Sequence, residues 1–149
     1  MKLRELMTTP VVRIQPEETV AVAARMLEHN NIGAMPVCSA DGKLCGMLTD
    51  RDIVLRCVAA EEDPAQIQVK DIMTRRPAAV TPEMDCRAAA QMMARHQVRR
   101  LPVVEGEKLV GIVSLCDLAH SSRMEMEAAQ ALSEITENIL RVNKKKNIE

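Results

Sequence analysis

Two short patterns in this 149-residue chain pair a hydroxyl with a carboxylate three positions on: Thr49-Asp50-Arg51-Asp52 and Ser114-Leu115-Cys116-Asp117. Each follows an apolar run. One reading of the spacing is a capping box, in which the hydroxyl and the acid satisfy the unpaired N–H groups that open a helix. The other puts the same geometry to chemical use. Free N–H groups and the helix dipole favour an anion at a helix N-terminus, and a Thr or Ser hydroxyl adds a donor. An Asp one turn in can accept both hydroxyls of a ribose. A hydroxyl for phosphate and a carboxylate for a diol together describe a nucleotide site.

Composition narrows the alternatives. The chain has no Trp, Tyr or Phe, yet 47% of it is apolar, 28% is charged and Met occurs 11 times. Aromatic stacking of single-stranded nucleic acid and an aromatic cage for quaternary ammonium groups are excluded. The core must be filled by Ile, Leu, Val, Ala and adaptable Met. A net charge of -1 points to neither a nucleic-acid nor a membrane partner. The five cysteines (Cys38, Cys45, Cys57, Cys86, Cys116) are odd in number and lack a C-x-x-C pair, which fits a reducing cytoplasm better than a disulfide framework. The start, MKLRELMTTP, has no apolar signal region, and no apolar run approaches a bilayer span. These features lead to an expectation of a cytoplasmic protein. Cys116 and His120 can share a helix face, but two ligands fall short of a closed zinc site. Cys45 and Cys116 read as inert thiols on or beside buried segments. No Ser/His/Asp arrangement and no Gly-rich phosphate loop emerges from the spacing, so no catalytic residue is assigned.

The elements that must position the two patterns come from a duplication. Leu6-Met7-Thr8 matches Ile72-Met73-Thr74, Pro16-Glu17 matches Pro82-Glu83, and Met35-Pro36-Val37 matches Leu101-Pro102-Val103, all at a shift of 66. Gly46-Met47-Leu48-Thr49 matches Gly111-Ile112-Val113-Ser114 at 65, the lost residue falling at the expected turn near Asp41-Gly42 and Glu105-Gly106. Each copy reads as β-α-β-β-α. The predicted opening strands are Val11 to Ile14 and Ala78 to Thr81, stopped by Pro16 and Pro82. Thr19 and Asp85 are N-cap types. The helices after them carry apolar stripes at Val20, Ala23, Ala24, Leu27 and at Cys86, Ala89, Ala90, Met93. Hairpins follow at Ala34 to Cys38 with Leu44 to Leu48, and at Leu101 to Val104 with Leu109 to Val113. Each copy closes with a helix opening at Thr49 or Ser114. This divides the chain into a first motif at 1–61, a linker at 62–68, a second motif at 69–121 and a C-terminal amphipathic helix with a basic tail at 122–149. That last helix, capped by Ser121 or Ser122, carries the stripe Met124, Ala128, Leu132, Ile135, Ile139 and Val142. Either the core or a second chain must cover it. Lys144-Lys145-Lys146 reads as a solvated tail.

The ordered motifs Met-Thr-Thr-Pro and Met-Thr-Arg-Arg-Pro, Ala-Met-Pro-Val and Arg-Arg-Leu-Pro-Val-Val, Gly-Met-Leu-Thr-Asp-Arg-Asp-Ile and Gly-Ile-Val-Ser-Leu-Cys-Asp-Leu resemble a tandem pair of CBS (cystathionine β-synthase) domains over about residues 2–120. The first copy departs by one residue fewer between Met-Thr and Pro. The resemblance implies an α/β (α+β) fold with pseudo-twofold symmetry and three-stranded sheets packed face to face. It also implies two clefts able to take an adenosine-containing ligand such as AMP, ADP, ATP, S-adenosylmethionine or NAD(H), and a disc-shaped homodimer. The implied role is regulatory, with no enzyme activity and no required cofactor.

Carried over residue by residue, the resemblance implies two unequal sites. The first uses Ser114 for phosphate and Asp117 for ribose, with Met7, Val12, Ile32 and Gly33 along the adenine and Arg99 and Arg100 reaching the phosphate. The second uses Thr49 and Asp52, with Met73, Ala78 and Val98 around the base. Arg51 is its candidate cation, because Gly33 stands where the other copy has Arg99. Residues 69–100 hold seven Lys/Arg against three Asp/Glu, while 2–34 hold four of each, so the first site is the better phosphate site. An effector protein would meet the C-terminal helix. The alternative is a structural dimerisation module whose clefts hold no ligand.

Overall fold

The computed structural model describes residues 1–121 and 123–148, with side chains up to Glu137. The chain folds into two compact units, Pro10–Pro77 with Val104–Val110, and Met1–Thr9 with Ala78–Val103 and Gly111–Glu149. Each unit holds most of one sequence copy together with the opening Met-Thr segment of the other.

In the first of these units, α1 (Val20–Asn30) begins where Thr19 Oγ1 accepts the Val22 N–H at 3.3 Å. It ends at Asn31, whose φ of 50° lets its own N–H and that of Ile32 bond back to Glu28 and Leu27. The strands β1 (Ala34–Cys38) and β2 (Leu44–Thr49) pair antiparallel with Ala34 opposite Thr49, and a bulge lies between Val37 and Cys38. Gly42 turns the hairpin at φ 87°, a region glycine enters without steric cost. α2 (Asp50–Ile53) runs straight into a π-helical turn, Val54–Val58. α3 (Val69–Ile72) then delivers β3 (Thr74–Arg75) to the free edge of β2, giving the order β1-β2-β3. The core joins Ile14, Val20, Leu27, Met35, Val37, Leu48, Cys57, Val69 and Ile72. Burial stabilises each of the larger side chains by about 1.5–3 kcal/mol.

The other unit repeats the plan. A 3₁₀ turn at Leu3–Glu5 precedes the break to Ala78, and α4 (Cys86–His96) starts where Asp85 Oδ1 accepts the Arg87 N–H at 2.8 Å. The hairpin of β4 (Arg100–Glu105) and β5 (Lys108–Ser114) follows. Thr8 takes up the place next to β5 that β3 holds next to β2, bridging Ile112 through N–H···O bonds of 2.8 and 3.2 Å. α5 (Leu115–Ala119) is short, and α6 (Glu125–Ile148) packs on α4 and α5 through the buried Met124, Ala128 and Ala131. Arg87 Nε lies 3.3 Å from Glu127 Oε1, and Gln97 Nε2 donates to the Glu134 carbonyl at 3.2 Å, fixing the register of α6 on α4.

The duplicated mixed fold therefore stands, with local corrections. The opening strands shrink to single parallel bridges, Ile14 with Val37 and Val80 with Val103, because Pro16 and Pro82 end each extended run two residues on. On α6, Leu132 is 45% exposed and Ala131 takes the buried place, because close approach to α4 favours the smaller side chain. Ser122 and the side chains of Ile139, Val142 and Lys144-Lys145-Lys146 lie outside the described residues. Cys116 is exposed rather than buried, since it sits one position past the buried Leu115 on a helix of little more than one turn. Among the described residues no helix is long and apolar enough to cross a membrane.

Candidate ligand site

Both hydroxyl–carboxylate patterns form the geometry their spacing allows. Ser114 Oγ accepts the Asp117 N–H at 3.1 Å while Asp117 Oδ2 accepts the Ser114 N–H at 2.7 Å. Thr49 Oγ1 and Asp52 Oδ2 make the same exchange at 3.0 Å each way. The capping box and the chemical reading are thus compatible. Each hydroxyl spends a lone pair on the helix and keeps its proton to donate, and each carboxylate keeps a second oxygen.

The residues feeding these helices also correspond. The Leu115 N–H donates to the Arg99 carbonyl at 2.8 Å, and the Asp50 N–H donates to the Gly33 carbonyl at 2.9 Å. Backbone bonding thus holds Arg99 beside the start of α5 and Gly33 beside the start of α2. The two starts differ in charge. A Cβ on Gly33 would meet Asp50 Oδ2 at 3.3 Å, so this place, basic in one copy, faces a carboxylate in the other. Asp50 Oδ1 accepts the N–H of Arg51, whose side chain is exposed.

In the unit carrying Ser114, a cavity of about 650 Å³ opens beside the hydroxyl. Arg99, Arg100, Ser114, Leu115, Cys116 and Ala119 line it from the hairpin and α5, while Glu125, Ala128, Ala129 and Leu132 line it from α6. Two arginines, a serine and the acidic Glu125 thus line a cavity with otherwise mostly apolar walls, and an arginine can give an anionic group on a larger body a bidentate pair of donors. Ser114, Arg99 and Arg100, which the resemblance placed at one site, all line this cavity. Asp117 is joined to them through the capping box and does not itself line the cavity.

The remaining predicted residues are placed as follows. Met7 is half-buried, its thioether against Gly111, and Met73 lies in the same way against Gly46. Val12 and Ile32 pack on the core of their unit. Ala78 is half-buried, and Val98 is 36% exposed with its N–H on the Met93 carbonyl.

Two features escaped the sequence reading. The α6 lining is one, although Leu132 was legible as an apolar stripe position. Arg56 is the other: its Nη1 lies 3.9 Å from Asp52 Oδ1 and donates to the Ile72 carbonyl at 2.9 Å. The Asp52/Arg56 spacing of four is an ordinary helical ion-pair signal. The repeat puts Ser121 at the matching place, and among the described residues Asp117 has no such cation. Among the described residues no three His, Cys, Asp or Glu side chains gather as a metal site.

The CBS-domain family model matches residues 3–58 and 69–123. The CBS domain-containing protein YhcV of Bacillus subtilis is 42% identical over 134 residues, covering 90% of this chain and 94% of YhcV. The solved structure of Hypoxic Response Protein I with two coordinated zinc ions is similar at 36% identity and a TM-score of 0.76, covering 81% of this chain and 99% of that one. The CBS domain protein PAE2072 from Pyrobaculum aerophilum, complexed with AMP, aligns at 27% identity and a TM-score of 0.77, covering 87% and 99%. On the family match, the duplicated elements and these likenesses together, this chain belongs to the CBS-domain family as a tandem pair.

Proposed function

We propose that this protein is a regulatory module that binds an adenine nucleotide or related adenosyl ligand and is not an enzyme. The observation that carries the reading is the convergence of Ser114, Arg99 and Arg100 on one open cavity, with Asp117 locked to Ser114 by the capping box. The phosphate goes to the hydroxyl and the guanidinium groups, and the ribose diol to the second oxygen of Asp117. The AMP complex of PAE2072 supports this ligand class. With no aromatic residue in the chain, the base is held by aliphatic side chains and backbone hydrogen bonds. The Thr49/Asp52 site, with Arg51 and Met73 of the same unit, is the weaker of the two, because Arg56 already occupies one side of Asp52.

The proposed working form is a cytoplasmic homodimer. Val54, Leu55 and Val58 are each more than half exposed on the π-helical turn, an apolar stripe of the kind a second subunit covers. The five free thiols fit a reducing compartment. Output to an effector protein would pass through α6. The stripe alone would also serve a purely structural dimerisation module. Against that rival, the cavity beside Ser114 has no Met among its described lining residues to fill it.

The test is a melting screen against AMP, ADP, ATP, S-adenosylmethionine and NADH. A ligand at a hundred times its Kd adds about 2.7 kcal/mol to stability. A raised melting temperature with at least one supports the reading, and no shift with any of them at millimolar concentration rejects it. Light scattering that gave the mass of a single 16.5 kDa chain at micromolar concentration would reject the dimer.

A further inference from the structure

α6 is held to its unit on one side and looks into the cavity on the other. The anchoring side is made of small or short contacts: buried Ala131, the Arg87–Glu127 pair at 3.3 Å, and the Gln97 amide on the Glu134 carbonyl at 3.2 Å. On the cavity side, Glu125, Ala129 and Leu132 face the space that Arg99, Arg100 and Ser114 line from the opposite wall. Leu132 remains 45% exposed there. A lining with empty space on one side lacks the dispersion contacts of a packed interior. Whatever fills about 650 Å³ at this place supplies them to both walls.

We propose that a ligand anchored at Ser114, Arg99 and Arg100 also touches α6, so that occupancy of the cavity and the ordering of α6 are coupled. α6 is then the element through which binding is signalled. This rests on the nucleotide reading for the ligand's identity and goes beyond it by placing the ligand in direct contact with that helix. Coupling between two such events is reciprocal: ligand orders α6, and bulk added on the cavity side of α6 weakens ligand. Glu125 sets the electrostatic sign. It contributes a carboxylate to a lining otherwise charged, among the described residues, only by two arginines, so it repels a bound phosphate and selects against ligands of higher negative charge.

The lack of Trp makes the test clean, because a single introduced Trp is the only such fluorophore. Leu132→Trp reports from the cavity wall, and Met126→Trp, 83% exposed and outside the cavity lining, is the control. With AMP, ATP and S-adenosylmethionine as probes, calorimetry measures binding independently of the fluorophore. The proposal expects Leu132→Trp emission to move with the calorimetric midpoint while Met126→Trp stays still. It expects Ala129→Trp to weaken binding at least tenfold at an unchanged melting temperature. Glu125→Gln should tighten ATP severalfold and by more than AMP. In the wild type, amide exchange over residues 125–137 should slow at saturation. Binding by calorimetry with unmoved emission, unchanged exchange and wild-type affinities in Ala129→Trp and Glu125→Gln overturns the coupling and leaves the nucleotide reading standing. No binding of any probe overturns both.

Discussion

Gly46 makes room for Met73: a Cβ at Gly46 would stand 2.8 Å from the Met73 sulfur and 2.6 Å from the Thr74 carbonyl oxygen. Gly111 stands in the same relation to Met7, at 2.8 Å from its sulfur and 3.3 Å from the Thr8 carbonyl oxygen. In each unit the Met-Thr segment of one sequence copy is thus laid against the hairpin glycine of the other, and only glycine lets the backbone come so close. Gly46→Ala should cost about 1–3 kcal/mol, at the upper end of overpacking effects, because the nearest atom is backbone and cannot step aside. Gly111→Ala should cost less, because its nearest atom is the sulfur of a flexible side chain and the backbone oxygen stands farther off, at 3.3 Å. Urea denaturation of the two variants checks the order, and equal costs would contradict it.

The thiols should separate by burial. Cys38, Cys57 and Cys86 are buried, and desolvation is the main cause pushing each thiol above its ordinary value; Glu62 and Asp63 add to it at Cys57, and Arg13 opposes it at Cys38. Cys116 is exposed. Labelling with an aromatic disulfide at pH 8 should show a fast phase that Cys116→Ser abolishes, a slower phase from half-buried Cys45, and three thiols that react only after unfolding. A fast phase that survives in Cys116→Ser would contradict the assignment.

Acid should loosen the N-terminal strap. The Asp85 carboxyl lies below its ordinary 3.8, chiefly because the Arg87 N–H bonds it, helped by the N-terminal ammonium at 3.6 Å. Hydrogen bonds from Lys2 and then Arg4 lower Glu83 from its ordinary 4.5. A carboxylate depressed in the folded state contributes its stability above its unfolded value, and loses it as the pH falls through the folded one. The contribution is therefore complete at neutral pH and fades below about pH 4, and added salt weakens it because these groups are exposed. Melts between pH 7 and pH 3 should show Glu83→Gln and Asp85→Asn flattening the acid limb. Superimposable limbs in wild type and variants would contradict the assignment.

The two carboxylates of the hydroxyl–acid patterns should not be equivalent. Asp52 has Arg56 at 3.9 Å, whereas Asp117 has only its capping bond among the described residues. Asp117→Asn keeps an oxygen that can cap α5 and should weaken nucleotide binding at least tenfold without lowering the melting temperature by more than a few degrees. Asp52→Asn should change affinity by less than threefold. Equal losses would contradict the asymmetry, and collapse of the fold in Asp117→Asn would show that capping is the main role of this side chain.

Local physics made much of this legible. The caps at Thr19, Asp85, Thr49 and Ser114, the helical stripes and the hairpin turns each depend on a few neighbouring residues, and all four caps form. The exchanged Met-Thr segments were not legible, because periodicity says that a segment is extended but not which distant edge it will join. Arg56 was missed although its spacing from Asp52 is a local signal; its carbonyl partners Ile72 and Met73 lie on a distant segment. Nor could the stripe of α6 show that Leu132 faces a cavity rather than the core. That depends on Ala128 and Ala131 drawing the helix close to α4.

The most direct test of the central claim is isothermal calorimetry of the purified protein with AMP, ADP, ATP, S-adenosylmethionine and NADH, after any 260 nm-absorbing ligand has been stripped from a chain without Trp or Tyr. The account predicts saturable binding of at least one of these ligands, reduced at least tenfold by Asp117→Asn and by Arg99→Ala. Binding that neither variant alters, or no heat from any of the five at millimolar concentration, would contradict it.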